Sequence, residues 1–154
     1  MQVTVVRIED AAEKQKIARR ILCALTDWFE IEQTREAYIR ESGGQIFFAA
    51  FAEDQPVGFL CLKETGKATV ELAVMGVLTA FHRQGIGKKL FREARECAKA
   101  AGYAFMQVKT VRMGRYPEYD DTNRFYQRLG FLEFECIPTL WDEQNPCQIY
   151  VMAL

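Results

Sequence analysis

The run VELAVMGVLTAFHRQGIGKKL, residues 70–90, combines three structural signals. Its first six residues alternate between the two faces of a predicted strand, with Val70, Leu72 and Val74 on one face and Glu71, Ala73 and Met75 on the other. Gly76 then interrupts the alternation, which predicts either a β-bulge or a close approach of another segment to the backbone at that point. After Phe81 a glycine-containing turn leads directly into an amphipathic helix. A strand, a turn and a helix therefore follow one another without a break.

The turn from His82 to Gly87 has the composition of an anion-binding helix start, because glycines there allow backbone N–H groups to approach a ligand. A Walker A loop requires a glycine at the position of His82. A dinucleotide-binding fingerprint requires a small residue at the position of Leu90. Neither motif is therefore present in this sequence. The pattern that remains is x-x-x-Gly-x-Gly after a long bulged strand.

This pattern resembles the acetyl-CoA signature of the GNAT superfamily of N-acetyltransferases, [Gln/Arg]-x-x-Gly-x-Gly/Ala. The match departs at His82, where the family usually has Gln or Arg. A second resemblance lies in residues 123–131, NRFYQRLGF, which match the family's Asn-x-x-Tyr helix followed by Gly-Phe. The two motifs are specific, and the resemblance extends over nearly the whole chain.

The order of predicted elements is β-α-α-β-β-β-α-β-α-β-β. This order fits the α/β (α+β) fold of the GNAT family, a mixed, mostly antiparallel twisted sheet of about seven strands flanked by four helices. Residues 1–154 are expected to form a single domain of this kind.

Local signals give approximate boundaries for the elements. The periodicity predicts one long helix from the cap at Asp10 to Phe29, and a short second helix from Thr34 to Arg40. Residues 111–119 are predicted to form a loop before a helix from Thr122 to Leu129, which Asp121 caps. The last two strands are predicted at residues 131–137 and 147–152, separated by a loop.

Composition narrows the function. The 154 residues carry a formal net charge of -1, which provides no basic field for nucleic acid or an acidic membrane. No apolar run is long enough for a membrane span, and the N-terminus lacks the features of a signal peptide. Five cysteines without a Cys-x-x-Cys pair argue against a zinc site and a disulfide framework. A cytoplasmic location without a bound metal is expected.

Glu71 is a candidate general base, because a carboxylate in an apolar strand is costly unless it is paired or exposed. The histone-acetylating members of the superfamily carry their general-base glutamate at the matching position. The alternative is an ordinary solvent-facing residue of an antiparallel sheet.

Tyr126 is the candidate general acid. The resemblance implies that its hydroxyl protonates the departing CoA thiolate, and that Asn123, on the same helix face, binds the cofactor. The alternative is a core tyrosine whose hydroxyl is satisfied within the protein.

The resemblance also implies a path for acetyl-CoA. Backbone groups from Met75 through Val77 to Leu78 are expected to bind the pantetheine arm and polarise the acetyl carbonyl, an oxyanion-hole role. The pyrophosphate is expected on the turn and helix start formed by His82, Arg83, Gln84, Gly85, Ile86, Gly87 and Lys88.

The resemblance implies that two segments rich in acidic and aromatic residues border the acceptor groove. Trp28 and Glu30 belong to the first, and Trp141 and Glu143 to the second. Such a lining suits a cationic amine, and the two tryptophans would narrow the groove to a small molecule. The alternative is a solvated surface.

The resemblance therefore implies a metal-independent N-acetyltransferase that transfers an acetyl group from acetyl-CoA to a primary amine in a ternary complex, and the acidic and aromatic segments favour a small cationic acceptor. A protein or peptide acceptor is the alternative within the same enzyme class. A non-catalytic acyl-CoA sensor is the alternative outside it. Cys61 has no neighbouring base and is not predicted to carry an acyl group. The oligomeric state stays open, with a homodimer among the options.

Overall fold

A computed structural model describes residues 2–154. The elements follow the predicted order: β1 (Val3–Ile8), α1 (Ala11–Cys23), α2 (Glu32–Ser42), β2 (Ile46–Ala52), β3 (Gln55–Gly66), β4 (Thr69–Val77), α3 (Ile86–Ala100), β5 (Phe105–Val111), α4 (Pro117–Leu129), β6 (Leu132–Asp142) and β7 (Asn145–Ala153). A short 3₁₀ turn at Thr79–Phe81 links β4 to α3. The predicted fold class is confirmed.

The seven strands form one sheet in the order β1-β2-β3-β4-β5-β7-β6. All neighbours are antiparallel except β4 and β5, which run parallel. Each face of the sheet carries its own hydrophobic core. Leu90 and Phe91 of α3 and Tyr126 of α4 pack on one face, and Ile21 of α1 and Ile39 of α2 pack on the other. Because helices cover both faces of the sheet, the loops that connect the elements lie at the ends of the strands.

The bulge in β4 lies at Ala73 and not at Gly76. At Gly76 the other alternative, a close approach to the backbone, is confirmed, because a Cβ atom there would lie 2.8 Å from Cδ1 of Leu25. Leu72 pairs with Leu62 and Val74 with Cys61, so Ala73 is the extra residue. An extra residue reverses the side to which every later side chain points. Val74 accordingly packs in the core beneath α1 and α2, whereas Val70 and Leu72 pack beneath α3 and α4. The predicted common face of these three residues was therefore wrong.

The parallel strands β4 and β5 separate soon after they meet. In the part of the chain that the structure describes, the two strands pair at three positions. Thr69 to Glu71 of β4 lie opposite Phe105 to Gln107 of β5. β4 continues to Val77 and β5 to Val111, where β5 pairs with β7. A wedge-shaped gap therefore opens in the middle of the sheet, and Glu71 lies at its closed end.

The first two helices differ from the predicted bounds. The Asp10 side chain accepts the Glu13 amide at 2.9 Å, which confirms the predicted cap of α1. α1 ends at Cys23, and Leu25 reaches the core from the loop that follows. The predicted helix was too long because Leu25 is apolar and lies at helical spacing from the buried residues of α1. α2 begins two residues before Thr34, at Glu32, and has no side-chain cap.

α4 and the last strands are longer than predicted. α4 begins at Pro117, which is suited to the first helical position because its missing N–H would have no helical partner there. β6 and β7 form a tight hairpin across most of the predicted loop, and Asp142 pairs with Asn145. β6 is the last strand of the sheet, and its Leu132 and Phe134 are 71% and 66% exposed. Among the described residues no helix combines the length and hydrophobicity needed to cross a bilayer.

Candidate active site

The open edge of β4 presents backbone groups to the gap. The Leu78 amide donates to the Val57 carbonyl at 2.8 Å, on the β3 side. Since successive strand residues direct their backbone groups alternately to the two sides, the amides of Val77 and Met75 point to the opposite side. β5 is no longer paired there, so these amides face the gap. Leu78 is different, because its amide is occupied within the sheet. Its predicted role as an amide donor to a ligand was wrong.

The turn after β4 places several backbone N–H groups at the start of α3. Arg83 and Gly85 have φ angles of 61° and 77°, and Gly85 is the N-cap of α3 without a side-chain cap. The first intrahelical bond of α3 joins the Lys89 amide to the Gly85 carbonyl at 3.1 Å. The amides of residues 86–88 therefore have no helical partner and are directed outward, as an anion site requires.

Gly87 fits closely against the neighbouring helix. A Cβ atom at this position would lie 3.0 Å from Cζ of Phe125 and 3.5 Å from Cε of Met75. The absence of a side chain lets α3 approach α4 and the end of β4. Gly85 has no such neighbour, and its requirement for glycine is the positive φ angle. The two glycines of the motif thus serve different purposes.

His82 is exposed and held in place by contacts within the protein. Its Nε2 lies 2.6 Å from the Val77 carbonyl oxygen, and its ring meets the Trp28 ring edge-on with centroids 5.8 Å apart. Its backbone amide donates to Thr79 at 3.1 Å. That amide is therefore not free for a pyrophosphate, contrary to prediction. Its neighbours Arg83 and Gln84 are exposed beside the start of α3.

Tyr126 lies on α4 and is 6% exposed. Its ring packs against those of Phe125, Phe131 and Tyr150, with centroids 5.7 Å, 5.8 Å and 6.3 Å away. Burial, followed by the neighbouring Tyr38 and Tyr119, raises the pKa of its phenol well above the ordinary value. Its hydroxyl makes no hydrogen bond to any described residue. The phenol therefore keeps its proton at neutral pH and has it free to donate.

Asn123 is fully buried, and its amide is used inside the protein. Nδ2 donates to the carbonyl oxygens of Val111 at 2.8 Å and Tyr119 at 2.7 Å. Oδ1 accepts the Tyr150 hydroxyl at 2.6 Å. Both amide protons are therefore taken, and the side chain links α4 to β5 and β7. The predicted bond from this amide to a cofactor would have to break one of these links.

Glu71 is 7% exposed and is paired with a lysine that sequence reasoning missed. Lys109 Nζ of β5 lies 2.7 Å from its Oε1, across the closed end of the gap. The side chains are 30% exposed for Lys109 and 9% for Glu71. Because Glu71 precedes the bulge, it points away from Leu72 and shares the α1–α2 face with Val74. Glu71 and Tyr126 thus lie on opposite faces of the sheet, and the gap connects them.

The loop between α1 and α2 is attached to the start of α4. The Trp28 indole N–H donates to the Glu118 carbonyl at 3.2 Å, and the Tyr119 hydroxyl donates to the Trp28 carbonyl at 2.7 Å. Burial raises the pKa of Tyr119 to about 12, so this hydroxyl stays protonated. The structure therefore brings Trp28 to the mouth of the gap. Glu30, in the same loop, is exposed.

The structure does not bring the second acidic segment to the first. Trp141 is 45% exposed near the tip of the β6–β7 hairpin, and Glu143 lies exposed in the turn. No aromatic contact or hydrogen bond among the described residues joins either one to Trp28 or Glu30. The groove is therefore not narrowed by the two tryptophans together, because β5 and β7 separate β6 from β4.

A basic cleft between α3 and α4 was also missed. It has a volume of about 370 Å³ and is lined by Lys88, Phe91, Arg92, Arg95, Glu96, Arg128 and Leu129. The Arg95 Nε is buried without a hydrogen-bond partner among the described residues. The spacing of Lys88, Arg92 and Arg95 along one helix is the sequence signal that shows such a cleft, since residues three or four apart share a face.

Several solved protein structures have the same fold as this chain. A GNAT-family acetyltransferase structure from Desulfovibrio desulfuricans is 19% identical, with a TM-score of 0.82 and 99% of each chain covered. A GNAT family acetyltransferase from Elizabethkingia anophelis with acetyl-CoA bound is 16% identical, with a TM-score of 0.76 and coverages of 99% and 98%. The ribosomal-protein-S18-alanine N-acetyltransferase from Escherichia coli is 15% identical, with a TM-score of 0.77 and coverages of 99% and 94%.

At these identities the similarity shows a common fold, and the family assignment depends on the sequence itself. No curated protein matches the sequence significantly. The profile described as the acetyltransferase (GNAT) domain matches residues 42–133, a span that includes β4, the glycine turn and all of α4. Because this match spans more than half of the 154 residues, the chain belongs to the GNAT family of acetyltransferases.

Proposed function

We propose that this protein is an acetyl-CoA-dependent N-acetyltransferase that transfers the acetyl group directly to a primary amine. The observation that supports this most strongly is an interrupted line of free backbone N–H groups. Met75 and Val77 supply its first part at the gap, and the amides at the start of α3 supply its second part, while the Leu78 and His82 amides between them are bonded within the protein. An extended acyl thioester with a phosphate-bearing tail fits such a line.

The donors along this line match the parts of acetyl-CoA. The gap receives the pantetheine arm, whose amides bond the free edge of β4 as a partner strand would. The amides of residues 86–88 face the pyrophosphate. The basic cleft formed by Lys88, Arg92, Arg95 and Arg128 takes the phosphorylated adenosine. The acetyl-CoA bound in the Elizabethkingia anophelis protein, which has the same fold, supports this assignment.

The chemistry assigns one role to each group around the gap. Glu71 removes a proton from the acceptor ammonium, directly or through water, because only the neutral amine has a lone pair for attack. The Val77 amide stabilises the negative charge that develops on the acetyl oxygen. Tyr126 donates its proton to the sulfur as the carbon–sulfur bond breaks. The acetyl carbon thus exchanges a sulfur for a nitrogen, and no metal is needed.

The acceptor that we favour is a small primary amine. Trp28, fixed to α4 through two hydrogen bonds, restricts the mouth of the gap. The acidic loops suggested a purely cationic acceptor. The ammonium of Lys109 beside Glu71 makes such an acceptor less suitable, because it would repel a second positive charge. A protein acceptor is the second candidate, because the Escherichia coli protein of the same fold acetylates an alanine of a ribosomal protein.

The direct test is acetyl-CoA consumption over a panel of amines and peptides, with calorimetry of CoA binding in parallel. Binding together with turnover on at least one amine is the expected result. A protein that binds acetyl-CoA yet acetylates none of them is an acyl-CoA sensor, which would overturn the catalytic proposal. Failure to bind CoA at millimolar concentration would overturn the proposal entirely.

A further inference from the structure

Four polar side chains from four different elements lie near one another on the α1–α2 side of the gap. Glu71 of β4 and Lys109 of β5 are in contact, and Tyr38 of α2 and Cys147 of β7 are close enough to interact electrostatically with this pair. Burial, and then Glu71, Glu41 and Cys147, raise the pKa of Tyr38. Burial raises the pKa of Cys147 to about 11, while the nearby Lys109 opposes that shift. Cys147 and Glu71 are buried, whereas the Lys109 side chain is 30% exposed.

The Glu71–Lys109 pair is only partly satisfied by the protein. Lys109 Nζ has three donors and one hydrogen-bond partner among the described residues, Oε1 of Glu71 at 2.7 Å. The second carboxylate oxygen of Glu71 also lacks such a partner. One hydrogen-bond donor group and one acceptor group, with opposite charges, are therefore still available on the acceptor side.

The pair has no net charge, and this bears on the acceptor. An amine that approaches Glu71 as an ammonium must compete with Lys109 for the carboxylate. When Glu71 turns to the acceptor, Lys109 is left partly buried without its anion, which is unfavourable. An acceptor that supplies a second negative charge removes this cost.

We propose that the acceptor is an amine with an adjacent anionic group, of the α-amino acid type, and that Lys109 binds the anionic group while Glu71 receives the amine. In an α-amino acid the ammonium group and the carboxylate group are attached to the same carbon atom. The two opposite charges of the acceptor are therefore close together, as are those of Glu71 and Lys109. The ammonium of the acceptor can face Glu71 while its carboxylate faces Lys109. This inference rests on the proposed function and defines its substrate class.

The test compares matched acceptors. Initial rates are measured with acetyl-CoA and each standard α-amino acid, its decarboxylated amine, and a short peptide that begins with the same residue. The kcat/KM for the preferred amino acid should exceed that for its amine and its peptide by about tenfold or more, because a charge-assisted contact is lost without the carboxylate.

Variants of Lys109 then assign the preference to this residue. Lys109→Met should remove the preference, because the KM for the amino acid rises and the ratio of kcat/KM between amino acid and amine falls towards one. Lys109→Arg should restore most of it, since the charge returns. Lys109→Gln keeps a donor to Glu71 without the charge, so it should fold and behave like Lys109→Met, which guards against simple misfolding.

Several results would overturn the inference. They are equal rates for amino acid and amine in the wild type, a preference for peptides, no acetylation of any amino acid, or an unchanged preference in both neutral variants. Each can occur while CoA still binds, so none of them contradicts the cofactor assignment. Loss of CoA binding in the wild type would instead contradict the proposed function itself.

Discussion

The different hydrogen bonding of Tyr126 and Tyr150 allows catalysis and stability to be separated by two identical substitutions. Both tyrosines are buried and their rings are in contact. The Tyr126 hydroxyl has no hydrogen-bond partner among the described residues, whereas the Tyr150 hydroxyl donates to Asn123 at 2.6 Å and accepts from Gln127 at 3.2 Å. Phenylalanine keeps each ring and removes only the hydroxyl.

Tyr126→Phe should lower turnover and hardly affect folding. No hydrogen bond is lost, so the free energy of unfolding should change by about 0.5 kcal/mol or less. Loss of the proton donor should lower kcat by about 10²–10⁴-fold, the usual contribution of general acid catalysis. CoA affinity should stay close to wild type because the ring packing is unchanged.

Tyr150→Phe should do the opposite. It leaves Oδ1 of the fully buried Asn123 without its donor, which costs about 1–3 kcal/mol. For a chain of this size that corresponds to a fall of roughly 2–12 °C in Tm. Turnover below the melting transition should stay near the wild-type value, because Tyr150 is assigned no proton transfer.

The assay is continuous thiol release with the best acceptor of the panel, at saturating acetyl-CoA. An enzyme blank is needed because Cys23 is exposed and reacts with thiol reagents. Single-turnover mixing confirms that chemistry limits the rate. Wild-type turnover for Tyr126→Phe under that condition would refute the general-acid role. Equal stability losses in the two variants would refute the hydrogen-bond argument.

Three further predictions follow from the site. Gly87→Glu should abolish CoA binding in calorimetry, since its Cβ meets Phe125 at 3.0 Å and its carboxylate repels phosphates; undiminished binding would contradict the assigned helix start. Glu71→Gln should slow turnover at neutral pH, because the amide cannot take a proton from the acceptor; wild-type turnover in a folded variant would transfer the base role to water. Tyr119, whose pKa rises from 10.0 to about 12 on folding, should contribute stability that is complete below pH 10 and lost as the pH rises through 12. Tyr119→Phe should therefore show a shallower alkaline loss of stability in denaturant titrations, and an unchanged slope would argue against this linkage.

The order of the elements and several of their ends could be predicted because the determining signals are local. The Asp10 cap and Gly130, which ends α4 with a φ angle of 105°, depend on residues within one turn of the chain. The glycine turn before α3 likewise has its own short motif. Such features need no knowledge of which strand lies next to which.

What could not be predicted depends on contacts between distant segments. The bulge at Ala73 exists only in the pairing of β4 with β3, so alternation along β4 alone could not show where it reverses. The Glu71–Lys109 pair joins residues on different strands, 38 positions apart. Asn123 matches a motif, yet its buried environment comes from β5 and β7. Burial of side chains can be inferred from the sequence, but their partners depend on the register of the strands.

The outer strand β6 also affects how the protein behaves at high concentration. It exposes Leu132 and Phe134 at the border of the sheet, where an unpaired backbone edge invites another chain to add a strand. Glu133 and Glu135 alternate with these residues, Pro138 removes a backbone donor, and an irregularity in register falls between the two glutamates. Charge, proline and irregular pairing all discourage edge-to-edge association. The exposed hydrophobic border is therefore compatible with a protein that does not aggregate, and neutralising its two glutamates would weaken that protection.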